Sequence, residues 1–268
     1  MSRDSDAFPA LSGGLWAFFF DVDGTLATIQ ERPEAVSIPQ KTRDALQLLA
    51  QLSDGALALV SGRPVTQLDA LVAPLQLPLA GVHGAERRDA SGELHQQTLP
   101  EEVASELAEE LQHALAKWPG THLENKGMAF ALHYRQAPQY EKQVLQLAAE
   151  QVERFPQLVQ QPGKCVVELK PQGTNKGAAI RAFMQEAPFA GRTPVFIGDD
   201  LTDEAGFEAV NDLQGISVKV GAGSSVARYR LQAVEDVWQW LEQMTLQLDQ
   251  DKTTSVRSKG YESFSSRI

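Results

Sequence analysis

A single cysteine, Cys165, occurs among 268 residues, so no disulfide can form within the chain and a small bridge-stapled scaffold is excluded. That usage fits a reducing compartment, and the chain reads as cytoplasmic. Cys165 precedes Val166 and Val167 and reads as a buried strand residue rather than a catalytic thiol. Basic residues are also scarce: 24 Lys and Arg stand against 35 Asp and Glu, for a formal net charge of −11. A chain of that sign repels polyphosphate, which argues against nucleic acid and against an anionic membrane surface as partners. A small phosphorylated ligand is still compatible, because a bound metal ion reverses the field locally. No apolar run approaches the roughly 20 residues needed to span a bilayer. The first residues, with Asp4 and Asp6, lack the basic region and apolar core of a secretory signal. No His or Cys spacing suggests zinc, and Gly221-Ala222-Gly223 is too short for a nucleotide fingerprint.

What is present is ordinary for a globular chain with its own core: 43% hydrophobic and 22% charged residues. Apolar runs that end near Phe20, Val60 and Val82 read as buried strands. Between them, residues 42–52 place Ala45, Leu48, Leu49 and Leu52 on one helical face, and 64–71 begins with proline in a favoured first turn. After Lys176 the alternation resumes, with helices expected over 177–184, 203–210 and 234–246 and strands over 195–197 and 216–220. That βαβα order implies an α/β fold, a Rossmann-like doubly wound parallel sheet.

The middle differs. From residue 84 to 171 the order reads strand, strand, helix, strand, helix, strand, with a hairpin signal at Asp89-Ala90-Ser91-Gly92. We expect a core made of 1–83 and 172–268, interrupted by an inserted α+β cap over 84–171. The tail from about residue 252, rich in Ser, Thr, Lys and Arg, is expected to be disordered.

Four signals fall at predicted C-terminal ends of strands, the edge where open α/β sheets bind ligands. The first is Asp21-Val22-Asp23-Gly24-Thr25. Asp21 can attack phosphorus, Asp23 can protonate a leaving oxygen and later activate water, and Thr25 can donate to a phosphate oxygen. Ser61-Gly62 follows a strand and offers a hydroxyl. Gly173-Thr174-Asn175-Lys176-Gly177 places Lys176 at a helix start, where an anion is already favoured. Gly198-Asp199-Asp200-Leu201-Thr202-Asp203-Glu204 sets adjacent carboxylates at a strand end, a costly arrangement unless a cation such as Mg²⁺ lies between them. Each has a plainer reading as a turn, a cap or an acidic helix start. Together they supply every part of a phosphoryl-transfer site.

The set resembles the haloacid dehalogenase superfamily of phosphatases, whose motifs occur in this order with a cap between the second and third. The resemblance implies Asp21 as nucleophile and Asp23 as general acid/base. It implies Mg²⁺ held by Asp21, the Asp23 backbone carbonyl and Asp199, with Asp200 close by, and Ser61 and Lys176 on the transferring phosphoryl group. Residues 79–86, 123–135, 167–171 and 198–204 are similar to the bacterial trehalose-6-phosphate phosphatase family within it. That likeness implies that the cap residues Glu124, Lys126 and Glu168 grip sugar rings, with Gly62, His83 and Gly84 lining the core–cap junction. From the residues alone, Glu124 to Gly127 reads equally as a solvated hairpin turn. His113 reads as an exposed helix residue, and His133 and Arg135 as facing solvent or the core edge. The expected activity is Mg²⁺-dependent hydrolysis of trehalose 6-phosphate to trehalose and phosphate through an aspartyl-phosphate, the final step of trehalose biosynthesis. The expected partner is a small-molecule sugar phosphate, with a trehalose-phosphate synthase as a candidate protein partner. The competing readings are a phosphatase of another sugar phosphate such as sucrose phosphate, a phosphomutase, or a non-catalytic regulatory partner of the synthase.

Overall fold

Trp16-Ala17-Phe18-Phe19-Phe20 has no polar residue to turn toward water, and it forms a strand covered on both faces. Phe18 and Phe20 enter one apolar layer with Leu46, Leu49, Val237 and Leu241, while Ala17 and Phe19 enter another with Ile180, Phe183 and Phe207. A continuous apolar run is the signature of a strand buried between two helical layers. This computed structural model describes the backbone of residues 11, 14–30 and 32–265 and, Pro33 apart, their side chains as far as residue 250.

In chain order the elements are β1 (Trp16–Phe20), α1 (Gln40–Leu52), β2 (Leu57–Val60), α2 (Val65–Val72), β3 (Leu79–Gly81), β4 (Glu86–Arg88), β5 (Leu94–Gln96) and α3 (Glu101–Leu115). There follow β6 (His122–Asn125), β7 (Phe130–His133), α4 (Glu141–Arg154), β8 (Leu158–Gly163), β9 (Val166–Pro171) and α5 (Lys176–Phe183). The chain closes with β10 (Thr193–Gly198), α6 (Glu204–Asp212), β11 (Ile216–Val220), β12 (Tyr229–Leu231) and α7 (Val234–Ser265).

The larger sheet runs β12-β11-β10-β1-β2-β3-β4-β5, parallel from β12 to β3 and antiparallel through the β4–β5 hairpin. Helices α1, α2 and α7 cover one face and α5 and α6 the other. The doubly wound core expected from the sequence is present.

Three differences stand out. The hairpin expected at the start of the cap extends the core sheet instead, because β4 pairs with β3 in register Ala80↔Arg87. The inserted layer is therefore built from 101–171 rather than from residue 84. Three strands were missed: β6 is polar, β8 reads Leu-Val-Gln-Gln-Pro-Gly, and β12 is a three-residue edge strand. Edge positions tolerate polar residues and proline and so carry little apolar signal. The backbone of α7 runs on to Ser265, through the segment where disorder was expected.

The smaller sheet, β6-β7-β9-β8, is wholly antiparallel. Its Phe130, Leu132, Val167 and Leu169 pack on Leu107 and Leu111 of α3 and Val144 and Ala148 of α4. Strand alternation then turns Glu168 and Lys170 of β9 to the opposite face. The register Glu124↔Ala131↔Glu168 sets those residues in one row across it.

Candidate active site

The exits of β1, β2, β3 and β10 converge at one edge of the core sheet, and α5 begins beside them. The β1 loop turns sharply: the Val22 carbonyl accepts from the N–H groups of Thr25, Leu26 and Ala27 at 3.2, 2.9 and 2.9 Å. Gly24 has φ +81°, and a Cβ there would stand 2.1 Å from Asp199 Oδ2, so this turn admits glycine alone. The β1 and β10 loops thus meet with a carboxylate against bare backbone.

Lys176, buried at the start of α5, donates from Nζ to Asp21 Oδ1 at 2.8 Å and to Asp203 Oδ1 at 2.7 Å. Asp203 Oδ2 accepts the N–H groups of Asp199 at 3.0 Å and Asp200 at 2.8 Å. Burial raises the Asp21 carboxyl well above its ordinary range, with Lys176 opposing and Asp203 and Asp199 adding to the rise. Asp199 is pushed up to about 7, by burial first and then by Asp203. Burial by itself lowers an ammonium, yet Asp203 and Asp21 outweigh it and push Lys176 up.

Asp21, Asp199 and Asp203 each offer an oxygen, and these lie within 4.8 Å of one another. Asp199 Oδ1 is buried and has no hydrogen-bond partner among the described residues. Asp21 and Asp199, held above their ordinary range by burial first and by neighbouring acids second, with an orphaned oxygen on Asp199, fit a hard divalent cation. Thr25 Oγ1, in the same loop as Asp21, is likewise buried with no hydrogen-bond partner among the described residues.

The sequence placed Asp200 close to the metal, and the structure puts Asp203 in the acidic cluster in its stead. Asp200 caps the turn that follows, its side chain accepting from the Asp203 backbone while Asp203 returns the bond. The four-residue step from Asp199 to Asp203 folds that acid back under Lys176, a helical spacing legible in the motif but read there as a helix start.

Asp23 does not share the Lys176 bridge. Both its oxygens are held by Arg63, Nε to Oδ2 at 2.6 Å and Nη2 to Oδ1 at 2.7 Å. Arg63 went unread in the sequence, although it directly follows Ser61-Gly62. Ser61 is buried at the exit of β2, with its Oγ accepting the Arg63 N–H at 3.2 Å. No hydrogen bond joins the Ser61 side chain to Asp21 or Lys176 among the described residues.

The polar face of the smaller sheet meets this edge directly. Lys126 Nζ donates to the Gly62 carbonyl at 3.0 Å and lies 2.5 Å from Glu168 Oε1. His83 Nε2 lies 3.0 Å from Glu168 Oε2. Gly62 makes room for that imidazole, since a Cβ there would stand 2.5 Å from His83 Nε2. His83 itself adopts φ 52°, a left-handed conformation uncommon outside glycine. Burial pushes its imidazole down, against the pull of Glu168. Gly84 ends the same short turn, which packs against α5.

Glu124 is bound by His133, Nε2 to Oε2 at 2.9 Å, and that bond outweighs burial, which pushes up, and holds its carboxyl below the usual range. His133, read from sequence as facing solvent or the core edge, therefore shares the face that holds Glu124. Lys170, two residues beyond Glu168, is buried beneath this face and pushed down to about 8, by burial first.

The likeness expected from the motifs is found in known proteins. The family model described as trehalose-phosphatase matches residues 19–235. The chain is 57% identical over 253 residues to trehalose-6-phosphate phosphatase of Escherichia coli strain K12, covering 94% of this chain and 95% of that protein. It is 44% identical over 219 residues to a probable trehalose-phosphate phosphatase of Sinorhizobium fredii, covering 81% and 82%. In fold it is similar to the trehalose-6-phosphate phosphatase C-terminal domain of C. albicans, with TM-score 0.76 at 23% identity over 86% of this chain and 92% of that one. With its β1 loop, buried lysine bridge and acidic cluster inside the matched span, the chain belongs to the trehalose-phosphatase family.

Proposed function

We propose that the chain hydrolyses trehalose 6-phosphate to trehalose and inorganic phosphate, completing trehalose biosynthesis, with Mg²⁺ as its cation. The observation that carries the reading is the buried Asp21–Lys176–Asp203 bridge, with Asp199 crowded against it at the sheet edge.

Asp21 Oδ1 forms a bond to phosphorus as the bond to the sugar oxygen breaks. The electron pair goes to that oxygen, which takes a proton from the Asp23 carboxyl. Water then attacks phosphorus, Asp23 takes the water's proton, and the acyl-phosphate bond breaks with its electron pair returning to Asp21. Lys176 holds the nucleophile in place and offsets charge on the phosphoryl oxygens. Thr25 Oγ1, buried and unpartnered, has a free donor for one of them, and Ser61 serves another. Asp21, Asp199 and the Asp23 carbonyl would hold the cation, which when bound polarises the phosphoryl group and neutralises the crowded acids.

Glu124, Lys126, Glu168 and His83 form the polar face that receives the disaccharide, while the cap excludes bulk water. Closure of that kind is already compatible with the Lys126–Gly62 contact. An enzyme that makes this sugar phosphate, a trehalose-phosphate synthase, is the protein partner the activity points to. The single cysteine supports a cytoplasmic setting, and among the described residues no helix is long and apolar enough to cross a membrane.

The test is phosphate release across a panel of sugar phosphates, with EDTA and after restoring Mg²⁺ or Mn²⁺. The expected outcome is release from trehalose 6-phosphate that stops with EDTA and returns most fully with Mg²⁺. Preference for sucrose phosphate would overturn the substrate, an isomeric sugar phosphate without net phosphate would indicate a mutase, and no release at all would indicate a regulatory protein.

A further inference from the structure

The chemistry above uses Asp23 but leaves unexplained why its carboxyl is chelated. We infer that Arg63 is the positioning residue of the general acid/base: its guanidinium fork fixes the plane of the Asp23 carboxyl against the leaving oxygen. The inference rests on the reading of Asp23 as acid and base.

Both bonds are short, at 2.6 and 2.7 Å, and they join the exits of neighbouring strands β1 and β2 across 40 residues of chain. The Arg63 side chain is 12% exposed and that of Asp23 35%, so the cation is the buried member and the acid the one that faces the cleft. The arginine is itself held. Its backbone N–H donates to Ser61 Oγ at 3.2 Å, its carbonyl accepts the Val82 N–H at 3.1 Å, and its Nη1 donates to Gln67 Oε1 at 3.3 Å. The Asp23 carboxyl is thereby tied to the loops after β2 and β3 as well as to its own. Glu124 of the cap lies close enough to act on the Arg63 charge, which places the clamp between core and cap, where a sugar oxygen leaving phosphorus would sit.

A carboxyl on a freely rotating χ2 samples many orientations, and displacement by about 1 Å costs on the order of 100-fold in rate. A planar fork that grips both oxygens removes that freedom in a way an ammonium cannot. The consequence depends on the leaving group. A sugar alkoxide needs its proton as the bond breaks, whereas p-nitrophenolate leaves without one.

The experiment measures single-turnover release of trehalose from trehalose 6-phosphate and of nitrophenol from p-nitrophenyl phosphate. The proteins are the unaltered enzyme, Arg63→Gln, Arg63→Lys, Asp23→Asn and the Arg63→Gln/Asp23→Asn double variant. In Arg63→Gln, trehalose release should slow about 100-fold and nitrophenol release less than about fivefold. Arg63→Lys should recover part of the loss, since one donor persists. In the double variant the arginine change should add nothing to Asp23→Asn. Equal slowing on both substrates, an unchanged rate, or losses that multiply in the double variant would overturn the inference. Should Arg63→Gln fail to fold by circular dichroism, Arg63→Lys carries the same contrast between substrates. Failure of the underlying reading looks different: the unaltered enzyme releases no trehalose, or Asp23→Asn slows both substrates alike.

Discussion

At the core edge, Asp21, Asp199 and Asp203 crowd around one ammonium, Lys176, and burial helps hold Asp21 and Asp199 above their ordinary range. On the cap face the charges come as matched contacts, Lys126 with Glu168 and His133 with Glu124. There the acids are held low: the His133 bond lowers Glu124, and for Glu168 burial pushes up but His83 and Lys126 outweigh it. The core edge holds more acids than ammonium groups, with Lys176 on Asp21 and Asp203 and Lys219 on the Asp199 carbonyl, and under the proposed function it suits a ligand that brings a cation with it. The polar face of the smaller sheet is already balanced, which under the proposed function suits neutral hydroxyls that displace the contacts found there. Under the proposed function, catalysis and sugar recognition would sit in different electrostatic settings, and substitutions in the two should leave different kinetic signatures.

The contrast breaks first if the core nucleophile proves dispensable. Asp21→Asn should lower steady-state phosphate release by at least about 10⁴-fold, since a carboxamide cannot attack phosphorus and members of a catalytic set fail together. Circular dichroism should show the fold retained. Turnover near the unaltered rate would remove Asp21 from the chemistry and with it the core half of the comparison.

A smaller effect sharpens the cap half. Glu124→Ala should reduce kcat/KM for trehalose 6-phosphate by about 10- to 100-fold, the size expected from losing hydrogen bonds to a charged group. For p-nitrophenyl phosphate the loss should stay under about threefold. Similar losses on both substrates would mean that the cap face does not read the sugar.

The smallest effect concerns stability. Lys170 is buried between the two regions, and burial pushes its ammonium from 10.5 down to about 8. Below pH 8 the folded protein carries that buried charge at full cost. Between pH 8 and 10.5 the unfolded chain binds the proton more readily than the folded one, so stability rises with pH through this window. Lys170→Met should therefore stabilise the fold at pH 7 by no more than about 3 kcal/mol, with the gain fading by pH 10.5. Urea unfolding at pH 7 and pH 10.5 checks both halves, and a variant less stable at pH 7 would show that the buried amine is held by something more than its packing.

The core was legible because its signals are local. A strand buried on both faces announces itself through five apolar residues in a row, and the Asp-x-Asp-Gly-Thr turn carries its acids and its glycine in one stretch. The change in element order after residue 84 is legible in the sequence, yet the β4–β5 hairpin joins the larger sheet rather than the smaller one. A hairpin's sequence shows its turn, while the sheet it joins depends on which edge lies open to it, here β3. The choice of Asp203 over Asp200 turned on geometry, because both acids suit a metal or a lysine by type and only the fold of the 201–203 turn decides which one points at Lys176. Arg63 and His133 were missed for a similar reason, since the partner each one holds lies outside its own motif.

By itself the sequence determined which side chains reach the end of each buried strand, because apolar runs and turn residues act over a few neighbouring positions. Only the tertiary structure decided which charge each one meets. Lys176 finds Asp203 across 27 residues, Arg63 finds Asp23 across 40, and Lys126 reaches Glu168 across 42 and the Gly62 carbonyl across 64. Coulomb attraction depends on separation in space and on the water excluded between the charges, and neither quantity is written along the chain.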